Sequence, residues 1–282
     1  LPLPANAPTA GDIGRVVYAH DRAFFLSRRL LLSHSEVDGW RWRSTESRYS
    51  ELQLRDQMLL AYEDGRGWLR FDPVSTEFIS ADIPDLPEGS YSSSSREPGD
   101  PWYATDRKAI YRRHSGGDWQ RLTLAAADEL IDARIEAMAR LPNGDLAVST
   151  RFGGLFQYRA DGQLRRRLAP SLMPGERITD LVVDADGGLW LTMDGGIARV
   201  AADNRITRFD RSLGAAQIER IARIDGVLHL ATRTGLKRLT PARHPGLPAS
   251  FAGTAIDRSS AWDVLSGGHG TLVATGNGLS LL

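Results

Sequence analysis

Residues 177–210 read RITDLVVDADGGLWLTMDGGIARVAADNRITRFD, and this stretch decides the fold. It divides into four short apolar runs, Ile178–Asp184, Leu189–Met193, Ile197–Ala201 and Arg205–Asp210. Asp186-Gly187-Gly188 and Asp194-Gly195-Gly196 supply residues that enter tight turns with positive φ, and Ala202-Asp203-Asn204 supplies a third reversal. Four antiparallel strands in so short a span cannot bury both of their faces alone. Such a unit must stack on copies of itself.

The copies align on the second strand. Leu189-Trp190-Leu191-Thr192-Met193 precedes Gly196-Ile197, as Leu146–Thr150 precedes Gly154-Leu155 and Leu228–Thr232 precedes Gly235-Leu236. Further copies are Met58–Tyr62 before Gly67-Trp68, Pro101–Thr105 before Ala109-Ile110, and Leu272–Thr275 before Gly278-Leu279. Ala23–Ser27 is the first and weakest. The last residues of these segments fall at 27, 62, 105, 150, 193, 232 and 275, spaced by 35, 43, 45, 43, 39 and 43. A four-stranded propeller blade repeats every ~40–50 residues. The sequence therefore predicts an all-β, seven-bladed β-propeller of four-stranded antiparallel blades.

Residues 1–12, LPLPANAPTAGD, read as a flexible lead-in, without the basic and apolar regions of a signal peptide. The expected propeller domain is 13–282, with blades at 13–45, 50–82, 88–124, 134–169, 177–210, 217–250 and 258–282. The Pro-, Gly- and Ser-rich segment Ile83–Asp100 is expected to be a surface loop with a short strand near Ser90–Ser94. Alanine-rich Leu124–Leu130 suits one helical turn, because Ile135–Leu141 is needed as an inner strand. Unit six has no clear outer strand, since Pro241, Pro245 and Pro248 occupy its place. Unit seven offers three strands, and the prolines of Leu1–Pro4 make that segment a poor fourth. A longer protein with a closing strand or further domains is the expectation.

Composition sets limits. Among 282 residues, 41% are hydrophobic and 25% charged, and the net charge is zero, so no bulk field draws the protein to nucleic acid or anionic membrane. Lys108 and Lys237 are the only lysines; a GC-rich genome or selection for anion binding accounts for the arginine bias. The absence of cysteine excludes disulfides, thiolate metal sites and thiol nucleophiles. No apolar run is long enough to span a membrane.

The pattern D-x-D-G-G-L-W-L-T-M-D-G-G-I at Asp184–Ile197 resembles the repeat of the two-component regulator propellers. Asn143–Leu155, Asp225–Leu236 and Gly270–Leu279 are similar to it, whereas the first hundred residues match poorly. Ala147, His229 and Val273 replace the repeat's Trp. Streptogramin lyases use a very similar D-G-x-L-W-F-T unit. The resemblance implies a periplasmic or extracytoplasmic sensor domain of a membrane-anchored hybrid histidine kinase or diguanylate cyclase. Homodimerisation would occur through the full-length protein, and membrane contact only through regions outside this chain.

Chemistry is sparse. The six histidines, His20, His34, His114, His229, His244 and His269, form no i,i+2 or i,i+4 pair. His229 reads as an ordinary strand residue, and His269, in a Gly-Gly-His-Gly turn, as the one candidate for a lone lyase base. Asp118, Asp161 and Asp186 sit in Gly-containing turns, where Asp caps its own backbone. The tryptophans read as blade packing.

One pattern stands out. In a propeller the loops between second and third strands open at one channel mouth. Here they contain Arg28, Arg66, Arg107, Arg151, Asp194, Arg233 and Asn277, five arginines in seven loops of a neutral chain. Guanidinium groups at a concave mouth suit carboxylate, sulfate or phosphate. The sequence thus predicts a non-enzymatic sensor of a small molecule or acidic oligosaccharide, with no cofactor or metal and no nucleic-acid partner. The alternative is a propeller-type lyase or lactonase with a divalent metal at the channel mouth. A third reading is a protein-binding scaffold.

Overall fold

The structure, a computed structural model, describes residues 13–55, 57–81, 91–92, 101–105, 109–114, 117–184, 186–209, 211–215, 217–240, 249–254, 260–267, 270–275 and 278–281. Its strands group by sequence unit, each pairing with the next in antiparallel order. Blade one is β1 Ile13–Ala19, β2 Arg22–Ser27, β3 Leu30–Ser35 and β4 Gly39–Ser44. Blade two is β5 Tyr49–Arg55, β6 Met58–Glu63, β7 Gly67–Asp72 and β8 Glu77–Ser80. Blade three is β9 Tyr91–Ser92, β10 Trp102–Thr105, β11 Ile110–Arg113 and β12 Gln120–Arg121. Helix α1, Ala127–Asp132, precedes blade four: β13 Ile135–Arg140, β14 Leu146–Thr150, β15 Leu155–Tyr158 and β16 Leu164–Leu168. Blade five is β17 Ile178–Val183, β18 Leu189–Met193, β19 Gly196–Val200 and β20 Ile206–Phe209. Blade six is β21 Ile218–Ile224, β22 Val227–Thr232, β23 Gly235–Thr240 and β24 Ser250–Gly253. The last sheet is β25 Ala261–Gly267, β26 Gly270–Thr275 and β27 Gly278–Leu281.

This is an all-β propeller fold with four-stranded antiparallel blades. Six sequence units form complete blades, where seven were expected; the seventh sheet has three described strands. Blade six corrects a second expectation. Its outer strand exists as β24, supplied by residues after the proline segment rather than by that segment. Pro241, Pro245, Pro248 and residues 1–12 lie outside the described residues, as does most of Ile83–Asp100. The short strand expected there is β9, and the expected helical turn is α1, six residues long.

The chain forms two compact units, one of residues 1–84, 222–239 and 252–282, the other of 85–221 and 240–251. In the first, Phe24, Leu26 and Leu31 of blade one interlock with Leu52, Leu59, Leu69 and Phe71 of blade two. Ile13, Phe25 and Leu32 pack on Leu272 and Ala274 of the last sheet. In the second unit, Leu155 and Ala147 of blade four meet Ile178, Leu191 and Met193 of blade five. Apolar residues on both faces of the middle strands are thus what stacking requires. Trp190 packs by the same logic, its ring 5.4 Å from that of Phe209 and 6.4 Å from that of Phe251.

The turns divide their glycines between two physical needs. Gly187 has φ +78° and Asn204 φ +74°, as expected for reversals. Gly195 answers the other need: a Cβ there would overlap the Pro174 carbonyl oxygen of the incoming connector.

Candidate functional site

The first strands share a feature that the spacing of apolar residues did not disclose. A bulge follows the opening residue in β1, β5, β13, β17 and β25, between Ile13 and Arg15, Tyr49 and Glu51, Ile135 and Ala137, Ile178 and Asp180, and Ala261 and Asp263. The extra residue leaves the ladder beside the pair that the opening residue forms with the last residue of the second strand. The residue after it can be a buried acid. Asp263 accepts the Val16 N–H at 2.9 Å, and Asp180 lies 3.4 Å from Arg220 Nη1. Ile-Thr-Asp-Leu at 178–181 and Ala-Trp-Asp-Val at 261–264 carried that signal in the sequence.

Five of the seven expected site residues are described, each in the second-to-third-strand loop of its own blade: Arg28, Arg66, Arg151, Asp194 and Arg233. Arg107 and Asn277 lie outside the described residues, as does His269. Arg28, Arg66 and Arg233 belong to the first compact unit, Arg151 and Asp194 to the second. Arg28, Arg66, Asp194 and Arg233 are exposed, and Arg151 is partly covered.

Two of the arginines rest on carboxylates that the sequence reading missed. Arg66 Nη1 is 3.5 Å from Oε2 of Glu63, whose side chain is 6% exposed. Glu63 also accepts the Thr45 hydroxyl at 2.6 Å and lies 3.7 Å from Arg43. Arg151 Nε is 3.6 Å from Oε1 of Glu136, the bulge residue of β13. Burial pushes the Glu136 carboxyl up, against the pull of Arg151, Arg177 and Arg134. Asp194 instead caps the connector that leads into blade five, accepting the Glu176 N–H at 3.2 Å. Two of the described loops therefore hold a guanidinium group against a strand carboxylate.

Blade four adds an aromatic. Phe152 is 62% exposed, with Arg134 and Arg151 guanidinium carbons 5.6 and 5.8 Å from its ring centroid.

His229 is a half-buried residue of β22 that donates Nδ1–H to the Val227 carbonyl at 3.0 Å, and burial lowers its pKa. Asp186 accepts the Gly188 N–H at 2.9 Å, and Asp161 the Gln163 N–H at 3.0 Å, the turn-capping expected of them. Among the described residues no group of three or more His, Asp or Glu side chains is arranged to hold a metal ion. None of the described helices is long and apolar enough to cross a membrane.

No protein-family profile matches the chain, and no curated protein matches it. Solved structures do match, at low identity. The extracellular domain of a hybrid two-component system from B. thetaiotaomicron superposes with a TM-score of 0.75 at 13% identity, over 98% of this chain and 39% of that one. Virginiamycin B lyase from Staphylococcus aureus gives 0.68 at 13% identity, over 97% and 96%. YCF48 bound to D1 peptide gives 0.64 at 16% identity, over 96% and 91%. The chain spans about two fifths of that extracellular domain but nearly all of the lyase. At these identities the likeness concerns the fold, which all three share.

Proposed function

We propose that this chain is the ligand-sensing, extracytoplasmic propeller of a membrane-anchored signalling protein with a histidine kinase or diguanylate cyclase output. It performs no chemistry itself. Its ligand is a small anion or acidic oligosaccharide, and binding biases the orientation of the attached domains. The observation that carries this reading is the placement of arginine in the second-to-third-strand loops, at Arg28, Arg66, Arg151 and Arg233, with Arg66 and Arg151 docked on strand carboxylates. The likeness to the extracellular domain of a two-component system supports it.

The test is a thermal-shift screen against acidic oligosaccharides, sugar phosphates and divalent metals. A ligand at about a hundred times its Kd adds ~2.7 kcal/mol to the native state. An anion-dependent rise in Tm that disappears in the Arg107→Ala, Arg151→Ala, Arg233→Ala triple variant supports the proposal. Unchanged anion binding in that variant refutes the role of the loops.

The near-complete overlap with virginiamycin B lyase favours a second reading, a metal-assisted lyase or lactonase. Incubation with virginiamycin B and Mg²⁺, followed by chromatography, separates the two. Turnover lost on His269→Ala establishes the enzyme, and an unchanged substrate leaves the sensor.

A further inference from the structure

The loop joining β14 to β15 is held more tightly than a solvated turn requires. Arg151 N–H donates to the Arg134 carbonyl at 2.7 Å and Phe152 N–H to the Ala133 carbonyl at 3.0 Å. Gly153 N–H donates to Thr150 Oγ1 at 3.0 Å, and Thr150 N–H to the Gly154 carbonyl at 3.0 Å. A Cβ on Gly153 would meet Ala133 Cβ at 2.6 Å, so the loop is pressed against the segment that leads into β13. This fixed backbone presents one large apolar side chain to water, the 62%-exposed ring of Phe152.

The groups around that ring are chemically selective. Arg134 holds φ at +58°, a conformation unfavourable for a side-chain-bearing residue, and its guanidinium carbon lies 5.6 Å from the Phe152 centroid. Arg151 stands 5.8 Å from the same centroid while it touches Glu136. Two guanidinium groups thus flank one exposed phenyl ring, and one of them rests on a carboxylate, all in one compact unit. An anion replacing Glu136 on Arg151 leaves the arginines paired, and the ring adjacent to that position is an apolar platform.

We infer that Arg134, Arg151 and Phe152 form a binding site for a small carboxylate attached to a ring with a flat apolar face. The inference rests on the sensing reading and names its ligand chemistry. Two sources share that chemistry, an acidic sugar and an aromatic acid.

Calorimetric titration of the whole chain distinguishes them, with digalacturonate and 1-naphthoate as probes and lactose and 1-naphthalenemethanol as neutral counterparts. The expected result is binding of one anionic probe, at least ten-fold tighter than its neutral counterpart. Phe152→Ala and Arg134→Gly are each expected to weaken it ten-fold or more, and Arg134→Lys to retain part of it. Arg134→Gly relieves the positive φ, so loss of binding without loss of Tm is a loss of the guanidinium and not of the fold. Binding of digalacturonate alone assigns the acidic sugar, and binding of 1-naphthoate alone the aromatic acid. Anion binding that survives Phe152→Ala and Arg134→Gly but is lost on Arg28→Ala or Arg233→Ala overturns this site and leaves the sensing reading standing. If neither anion binds at millimolar concentration, the inferred ligand chemistry is wrong, and a Tm rise with a neutral glycan would then preserve sensing without it.

Discussion

Blades four and five share a backbone and differ in what they hang on it. Both first strands carry a bulge after the opening isoleucine, and both second strands end in a glycine-containing loop pressed against the incoming connector. A Cβ on Gly153 would meet Ala133 Cβ at 2.6 Å, and one on Gly195 would overlap the Pro174 carbonyl oxygen. Just ahead of those glycines the blades diverge. Blade five places Asp194, which caps the Glu176 amide, whereas blade four places Arg151 and Phe152. The same contrast appears in the second strand, where Trp190 of blade five corresponds to Ala147 of blade four. Glycines at close approaches thus define the repeat, while the residues ahead of them are free to carry a site.

The largest expected effect tests the second-strand contrast. Trp190 is 4% exposed, donates Nε1–H to Asp184 at 3.0 Å, and packs against Phe209 and Phe251. Trp190→Ala should cost about 4 kcal/mol, measured by urea denaturation, from lost burial and the cavity left behind. Ala147 fills its own site in blade four, fully buried opposite Ala139. A loss under about 1 kcal/mol would mean that blade five repacks as blade four does.

Gly195→Ala should follow at about 3 kcal/mol, because the Pro174 carbonyl must retreat with its connector. The backbone there is not in the left-handed region, so the cost is one of space alone. Gly226 makes the opposite case: φ is +76° and nothing lies within 4 Å of a Cβ, so Gly226→Asn should be tolerated where Gly195→Asn is not.

A third comparison concerns a buried hydroxyl. Tyr158 of blade four is fully buried, and its hydroxyl has no hydrogen-bond partner among the described residues. Burial pushes its pKa up to about 12. The folded state holds the neutral phenol above the usual value of 10, so this residue's stability contribution is complete below pH 10. It is lost as pH rises from 10 toward about 12. Tyr158→Phe should therefore raise stability at pH 7 by about 1 kcal/mol and flatten the alkaline limb of the stability curve. Absorbance at 295 nm against pH would show one late-titrating tyrosine disappear. A destabilised variant would reveal a hydroxyl partner.

These cases also show what the sequence could disclose. All seven anchor positions fall on the second strand of a sheet, from Ser27 in β2 to Thr275 in β26, because tight turns and alternating burial both leave local marks. The outer strand of blade six was hidden because local reading stops at prolines, whereas β24 forms after them. Glu63 and Glu136 were invisible as arginine partners because pairing depends on register. Glu136, which lies 3.6 Å from Arg151, is the extra residue of a bulge in β13, and no residue type announces that bulge. Phe152 went unnoticed for a related reason: periodicity reports which strand residues are buried and is silent on which loop residue is held outward.

The smallest expected effect on stability is the most informative about the site. Phe152→Ala removes a ring already 62% in water, so little buried area is lost, and the loop keeps its backbone hydrogen bonds. Its two cation–π contacts lie at 5.6 and 5.8 Å from the centroid and are solvent-exposed, where such contacts contribute about 0.5–1 kcal/mol. The change in unfolding free energy should stay within about 1 kcal/mol. That sets it against Trp190→Ala, the same kind of deletion made where the ring is enclosed. If Phe152→Ala instead costs as much as Trp190→Ala, the ring is a structural element of blade four and its exposure is not that of a platform. A small cost combined with lost anion binding would separate the two blades as intended: one aromatic holds the repeat together, and the other faces outward for a ligand.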